Sequence, residues 1–225
     1  MKITIATGLY PPEIGGPATY AAMLESELPP RGMEAVTVPF GWMRHYPRFV
    51  RHEIYGWKLF QASRKAEIIY ALDPISVGLP ALIVSRLRRK PFLIRLGGDY
   101  AWEQGRMRFG LTDTLDKYLE NRDSSPWQVM LFAWLQTFVV SKAERVIVPS
   151  EYLKGVVMKW GIDEEKIQVI YSALYTLAVP TSREVLRQEL AYTHPTIVSA
   201  ARLVPWKGMS VLIDVVDKLT ERYPD

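Results

Sequence analysis

Cysteine is absent from the 225 residues, which removes disulfides, thiolate nucleophiles and cysteine metal sites together. Histidine is scarce, and His45, His52 and His194 show no ligand spacing among themselves, so no metal site is expected. The first βα loop has no G-x-G-x-x-G, and no G-x-x-x-x-G-K-[ST] occurs anywhere; dinucleotide-dependent dehydrogenase and P-loop chemistry lose their support. There is no Asp-x-Asp for a metal-bridged diphosphate and no G-x-S-x-G for a hydrolase elbow. Long apolar runs are missing too. The longest, Trp127 to Val140, falls short of the roughly 20 residues that span a bilayer. It reads as a buried helix, with a membrane or subunit contact as the alternative, and is opened by Ser125 as N-cap with Pro126 at the first helical position. The N-terminal Met1-Lys2-Ile3-Thr4-Ile5-Ala6-Thr7 has no signal-peptide pattern, and a cytoplasmic chain is expected.

What is present describes an ordinary globular protein: 48% hydrophobic residues, 23% charged, and a formal net charge of +4. The cations are uneven, with Arg44, Arg48 and Arg51 in one segment and Arg86, Arg88, Arg89 and Lys90 in another. Such clusters attract polyanions or anionic headgroups, but neither is long enough for a nucleic-acid tail. Peripheral contact with a membrane on its cytoplasmic face is therefore an expectation; nucleic acid as a partner is not. The first of these segments, from Trp42 to His52, interleaves cations with aromatics and is either interfacial or a surface loop.

Short β-branched runs recur at Ile3–Ala6, Ala35–Pro39, Ile68–Ala71, Phe92–Arg95, Val146–Val148, Ile167–Ile170 and Ile197–Ala200. Helical patterns lie between them, including Ala18–Leu28, Val77–Arg88, Trp127–Ala143 and Tyr152–Trp160. Repeated βα units predict an α/β fold with a doubly wound, Rossmann-like parallel sheet. Ligands on such sheets bind beyond the carboxyl ends of the strands, which directs attention to the loops after Ala6, Ala71, Arg95, Val148 and Ala200. Residues 1–172 are expected to form one domain and 173–195 a linker containing Pro180 and a helix-like run, Glu184–Leu190. Residues 196–225 then supply one strand and one helix of an incomplete second domain.

Three loops carry residues suited to chemistry. In the first, Gly15-Gly16-Pro17 lets backbone approach a ligand before a helix that proline can open; the same glycines also serve an ordinary turn. After the fourth strand, Gly97-Gly98-Asp99-Tyr100-Ala101-Trp102-Glu103 gathers two carboxylates, a phenol and an indole. Carboxylates there can bind sugar hydroxyls or accept a proton, and Trp102 can stack on a pyranose. Alternatively, Asp99 caps the next helix and Trp102 fills the core. Ser150 is a helix cap in either reading. In the last loop, Arg202 and Lys207, with Gly208 beside the lysine, sit on a strand-to-helix turn. Two cations there, near helix amides, suit a diphosphate, although a solvated turn uses the same residues.

The ordered set of Gly15-Gly16, Lys90-Pro91 leading to Gly98-Asp99-Tyr100, Ile147-Val148-Pro149-Ser150, Gly161-Ile162 before Lys166-Ile167, and Arg202-Leu203-Val204 through Lys207-Gly208 resembles glycosyltransferase family 4 along nearly the whole chain. The resemblance implies a GT-B architecture, its first domain mostly for acceptor and its second mostly for donor. It further implies metal-independent, retaining transfer from a nucleotide-diphosphate sugar to a sugar or lipid-linked acceptor, with no cofactor. Arg202, Lys207, Gly15 and Gly16 would then serve the donor phosphates, Asp99 the acceptor hydroxyl, and Tyr100, Trp102 and Glu103 the acceptor. Gly97 and Ser172 stand where many members have His and Asn, and a family Glu-x7-Glu element would fall beyond Asp225. The chain accordingly reads as a truncated enzyme of impaired activity or, alternatively, as a non-catalytic module that forms a homodimer through its last βα unit or the Trp127–Val140 helix.

Overall fold

The computed structural model describes residues 1–47, 50–173, 182–192, 194 and 196–223. Arg48, Pro180 and much of the expected linker lie outside the described residues. Two compact units are present, Met1–Ser172 and Ala173–Asp225.

The first unit contains a six-stranded, all-parallel sheet. Its strands are β1 (Lys2–Thr7), β2 (Glu34–Pro39), β3 (Ile68–Ala71), β4 (Phe92–Arg95), β5 (Arg145–Val148) and β6 (Ile167–Val169), in spatial order β2-β1-β3-β4-β5-β6. The registers Ile3↔Ala35 and Ile3↔Ile68 place β1 between β2 and β3. The helices are α1 (Gly16–Glu27), α2 (Arg51–Ala62), α3 (Gly78–Arg88), α4 (Tyr100–Arg108), α5 (Leu115–Glu120), α6 (Trp127–Ser141) and α7 (Glu151–Lys159). Burial explains why these segments are strands. Ile5, Ala6, Ile69, Ala71, Phe92, Ile94, Val146 and Val148 are all buried, as expected of a sheet covered on both faces. The larger core packs β-strand residues against Tyr55, Leu59, Ala81, Val139 and Val157 from α2, α3, α6 and α7. A smaller one joins Ile5, Tyr70 and Leu72 to Ala21 of α1.

Several expectations need correction. The Trp42–His52 segment is not a free loop over its described residues. Arg44 forms an ion pair with Glu13, the Arg51 guanidinium lies 5.6 Å from the Phe40 ring centre, His52 packs on the same ring, and α2 begins at Arg51. In the second basic segment Arg88 is likewise absorbed, 3.6 Å from the Phe60 ring centre and donating to the Phe60 carbonyl. The Trp127 helix is not buried all round. Val129, Ala133, Gln136, Val139 and Val140 face inward, while Trp127, Met130, Leu131, Trp134 and Phe138 are exposed. Its N-cap is Pro126, without a side-chain cap.

In the second unit, α8 (Arg183–Glu189) is capped by Ser182, whose Oγ accepts from Val185 N at 3.3 Å. The last helix, α9 (Met209–Arg222), follows Gly208 in the left-handed region at φ 65°. Ile197–Ala200 is not a strand, because its backbone groups find no ladder partner among the described residues. None of the described residues of this unit is buried.

Candidate functional site at the carboxyl edge of the sheet

The order β2-β1-β3 makes the chain leave β1 in one direction and β3 in the other. The crevice between these strands is thus a topological switch point, where open α/β sheets bind ligands. Two loops meet across it. A Cβ built on Gly8, just beyond β1, would stand 3.0 Å from Asp73 Oδ2, just beyond β3. Asp73 is half-buried. Its Oδ1 accepts from Ile75 N at 2.9 Å and Ser76 N at 2.7 Å, which aims Oδ2 at the bare Gly8 backbone. Burial pushes the Asp73 carboxyl up to about 6, against the lowering effect of those amides.

The loop after β4 brings further polar groups to this edge. Tyr100, half-buried at the start of α4, hydrogen-bonds Ser76; burial pushes its hydroxyl up, and the Asp73 and Glu103 carboxylates add to the shift. The Glu103 carboxylate lies over Gly98, where an added Cβ would fall 2.5 Å from Oε1. The bare glycine leaves room for that carboxylate. Asp73, Tyr100 and Glu103 are therefore neighbours, offering two hydroxyl acceptors and a phenol that can donate or accept.

Two expected site residues point elsewhere. Asp99 is only 1% exposed. Its Oδ1 accepts from Trp102 N at 2.9 Å and Gln136 Nε2 at 3.0 Å, and its Oδ2 from Trp160 Nε1 at 3.2 Å. Burial raises its pKa. It caps α4 and ties α6 and α7 together, with its oxygens committed inside the protein. Trp102 packs in the cluster around Ala101, Tyr118 and Val129 and donates to the Asp113 carbonyl at 3.0 Å. It holds α4 in place and does not stand free for a pyranose. For both residues the capping and core alternative describes what is seen. Asp73 itself escaped the sequence reading, although the loop after Ala71 had drawn attention; its one local signal is Asp-Pro, which reads as a turn.

The glycine loop sits at the same edge. Gly15 is the N-cap of α1 with φ 155° and ψ 156°, a backbone conformation natural only to glycine, and no side chain caps this helix. Neighbouring Ile14 is almost fully exposed, leaving the first turn open to an anion. Glu13 stiffens the loop by accepting from Tyr10 N at 3.3 Å while paired with Arg44. In the second unit, Arg202 and Lys207 are exposed on one turn ahead of α9, where Val204 N donates to the Arg202 carbonyl and Lys207 N to that of Val204. No side chain caps α9.

Asp73 also gives the stability of the chain a pH signature. A carboxyl raised in the folded state relative to the ordinary value near 3.9 favours folding below that value, and the advantage is lost as pH rises through about 6. Asp73→Asn keeps the acceptor for Ile75 and Ser76 but does not ionise. Stability of wild type relative to Asn is therefore expected to fall between pH 4 and 7, by about 2 to 3 kcal/mol. Urea unfolding of both proteins at several pH values measures it, and parallel profiles would refute it.

The family model for glycosyltransferase family 4 matches residues 14–176. No curated protein matches the chain. Among solved structures it is similar to Anabaena Alr3699/HepE in complex with UDP and glucose, at 18% identity and a TM-score of 0.63, covering 97% of this chain and 58% of that one. The same protein in complex with UDP-glucose gives 18% identity, 97% and 57% coverage, and a TM-score of 0.63. With UDP alone the TM-score is 0.60 at the same identity, with 97% and 58% coverage. The chain thus spans less than two thirds of the length of these neighbours. What the likeness shows is the fold.

Proposed function

We propose, for a chain that belongs to glycosyltransferase family 4, that it transfers a sugar from a nucleotide diphosphate to an acceptor hydroxyl with retention. The observation that carries this reading is the gathering of Asp73, Tyr100 and Glu103 at the carboxyl edge of the sheet, with Asp73 facing Gly8 at the switch point and Glu103 lying over Gly98. This edge takes the acceptor. Asp73, ionised at neutral pH, and Glu103 receive hydrogen bonds from its hydroxyls, orienting the oxygen that forms the new glycosidic bond. Asp99 acts from behind by holding α4 in position.

Gly15 and Gly16 admit phosphate or acceptor at the edge of the first unit. In the second unit the donor diphosphate falls to Arg202 and Lys207. Their positive charge offsets the charge that builds on the leaving phosphate as the bond to the sugar breaks, so no metal is required. The nearest support is that the HepE structures hold UDP or UDP-glucose. Both the nucleotide sugar and a sugar or lipid-linked acceptor are proposals for this chain.

Calorimetric titration with UDP, GDP and their sugar conjugates tests the donor site. One nucleotide is expected to bind, and Lys207→Ala to weaken it at least tenfold, consistent with the loss of a charge-assisted phosphate contact of about 1.5 to 3 kcal/mol. A folded chain that binds none, or binds the same with alanine, would remove the donor role from this turn.

A further inference from the structure

Arg95 is a cation that no described carboxylate neutralises. It is the last residue of β4 and is half-buried. Its guanidinium carbon lies 3.9 Å from the ring centre of Tyr20 on α1, and its Nη2 donates to Ser172 Oγ at 2.8 Å, just beyond β6. Its Nε is buried and has no hydrogen-bond partner among the described residues. Arg95 takes part in none of the ion pairs that these residues form. The acids of α1 and of the loop ahead of it are engaged elsewhere: Glu13 with Arg44, Glu25 with the Tyr10 hydroxyl and Glu27 with Arg31. Nor does a phenolate supply the missing charge. Burial holds the Tyr70 hydroxyl, beside that of Tyr20 at 3.3 Å, far above its ordinary value, and the Arg95 charge opposes this only in part.

Taking a guanidinium partly out of water costs hydration, and one stacked ring with one neutral hydroxyl returns only a fraction of it. An anion completes the arrangement. A guanidinium has five N–H groups, of which one is bonded here to a described residue, so a phosphate can take two in parallel. The exposed Ser172 hydroxyl beside it can add a donor. Position then assigns the anion to the acceptor. The register Ala71↔Ile94 sets Arg95 beside the Leu72-Asp73 step at the carboxyl edge, on strands about 4.8 Å apart. Tyr20, under the guanidinium, follows Gly16 by one turn on the same face of α1. We propose that Arg95, with Ser172, holds a phosphate group of the acceptor, which is therefore a phosphate ester that turns a hydroxyl toward Asp73. A neutral acceptor would leave the cation uncompensated, and the site discriminates against it on that ground. The substrate class rests on the sugar-transfer reading; the anion site stands without it.

Nuclear magnetic resonance of the arginine side chains, titrated with inorganic phosphate and with methyl phosphate, tests the site. The Arg95 Nε–H signal, identified by its loss in Arg95→Lys, is expected to move saturably with both, at a dissociation constant of about 1 mM for a few charge-assisted contacts. Calorimetry with methyl phosphate should show Arg95→Met weakening binding about tenfold and Ser172→Ala about threefold. Arg95→Lys, which keeps the charge but not the planar fork, should fall between wild type and Met. Unchanged far-UV circular dichroism establishes that the variants fold, and the wild-type titration decides the matter should one of them not. UDP separates the two phosphate sources. Lys207→Ala is expected to weaken UDP and spare methyl phosphate, and Arg95→Met to do the reverse. An Arg95 signal that does not move, or equal methyl phosphate binding by Arg95→Met, would overturn the proposal. So would movement with inorganic phosphate but not with the ester, or an Arg95→Met loss as large for UDP as for methyl phosphate, since the anion would then be free phosphate or the donor. A chain that binds no UDP at all removes the donor reading while the methyl phosphate titration still reports on Arg95.

Discussion

Asp99→Ala is expected to lower the stability of the chain by about 4 kcal/mol, the largest loss anticipated for a single side-chain truncation. The carboxylate is buried and receives Trp102 N, Gln136 Nε2 and Trp160 Nε1. Removing it strands three donors away from water, each at about 1 to 3 kcal/mol, with some relaxation between them. The loss is a large part of the 5 to 15 kcal/mol that holds a typical domain together. Asp99→Asn separates charge from shape. Its oxygen can still accept from Trp102 and Gln136, but its NH2 group faces the Trp160 indole N–H, donor to donor, so about 2 kcal/mol is expected. Chemical denaturation measures both. A cost under 1 kcal/mol for alanine would mean that the network is not closed and would return Asp99 to the list of groups available to substrate.

The chemistry around Asp99 was only half legible in sequence. Gly97-Gly98-Asp99-Tyr100 marked the loop because glycine and a capping acid are local signals. Whether the acid faced solvent depended on Gln136 and Trp160, which arrive from other helices. Asp73 illustrates the same limit, since Gly8, which its carboxylate faces, is 65 residues distant and follows another strand. The six strands were legible because a doubly covered sheet demands continuous apolar runs. Ile197–Ala200 has the same composition but no ladder partner among the described residues, and composition cannot supply one. For α6, the outward residues are as apolar as the inward ones, so no periodicity distinguished face from core; only packing did.

Gly78→Ala is the second large effect, with a loss of about 3 kcal/mol, at the upper end of the range for overpacking. Gly78 begins α3 inside the core. An added Cβ would collide with the Asp73 backbone carbonyl oxygen and meet Val139 Cγ1 at 3.4 Å. Backbone cannot swing aside as a side-chain end does, so the turn between β3 and α3 must shift. That turn carries the Asp73 carboxylate, and the substitution should therefore also displace the group proposed to orient the acceptor. Gly56→Ala, inside α2, is the control. Its Cβ meets nothing within 4 Å, and alanine there should raise stability by about 0.5 to 1 kcal/mol through helix propensity. Thermal unfolding of the pair gives the comparison. Equal midpoints would show that the turn has slack.

The two ends of the sheet bear on how the molecule behaves when crowded. An unpaired strand is a template for other chains, and concentrated proteins can polymerise by adding strand to strand. Here one edge is β2, where Glu34 is engaged with Lys2 at 2.6 Å and Pro39 ends the strand without an N–H to donate. The opposite edge of the first unit, β6, is three residues long, too short to hold an incoming strand in register. Both borders of this sheet are blunt. Open-ended growth by strand addition is thereby disfavoured at both borders.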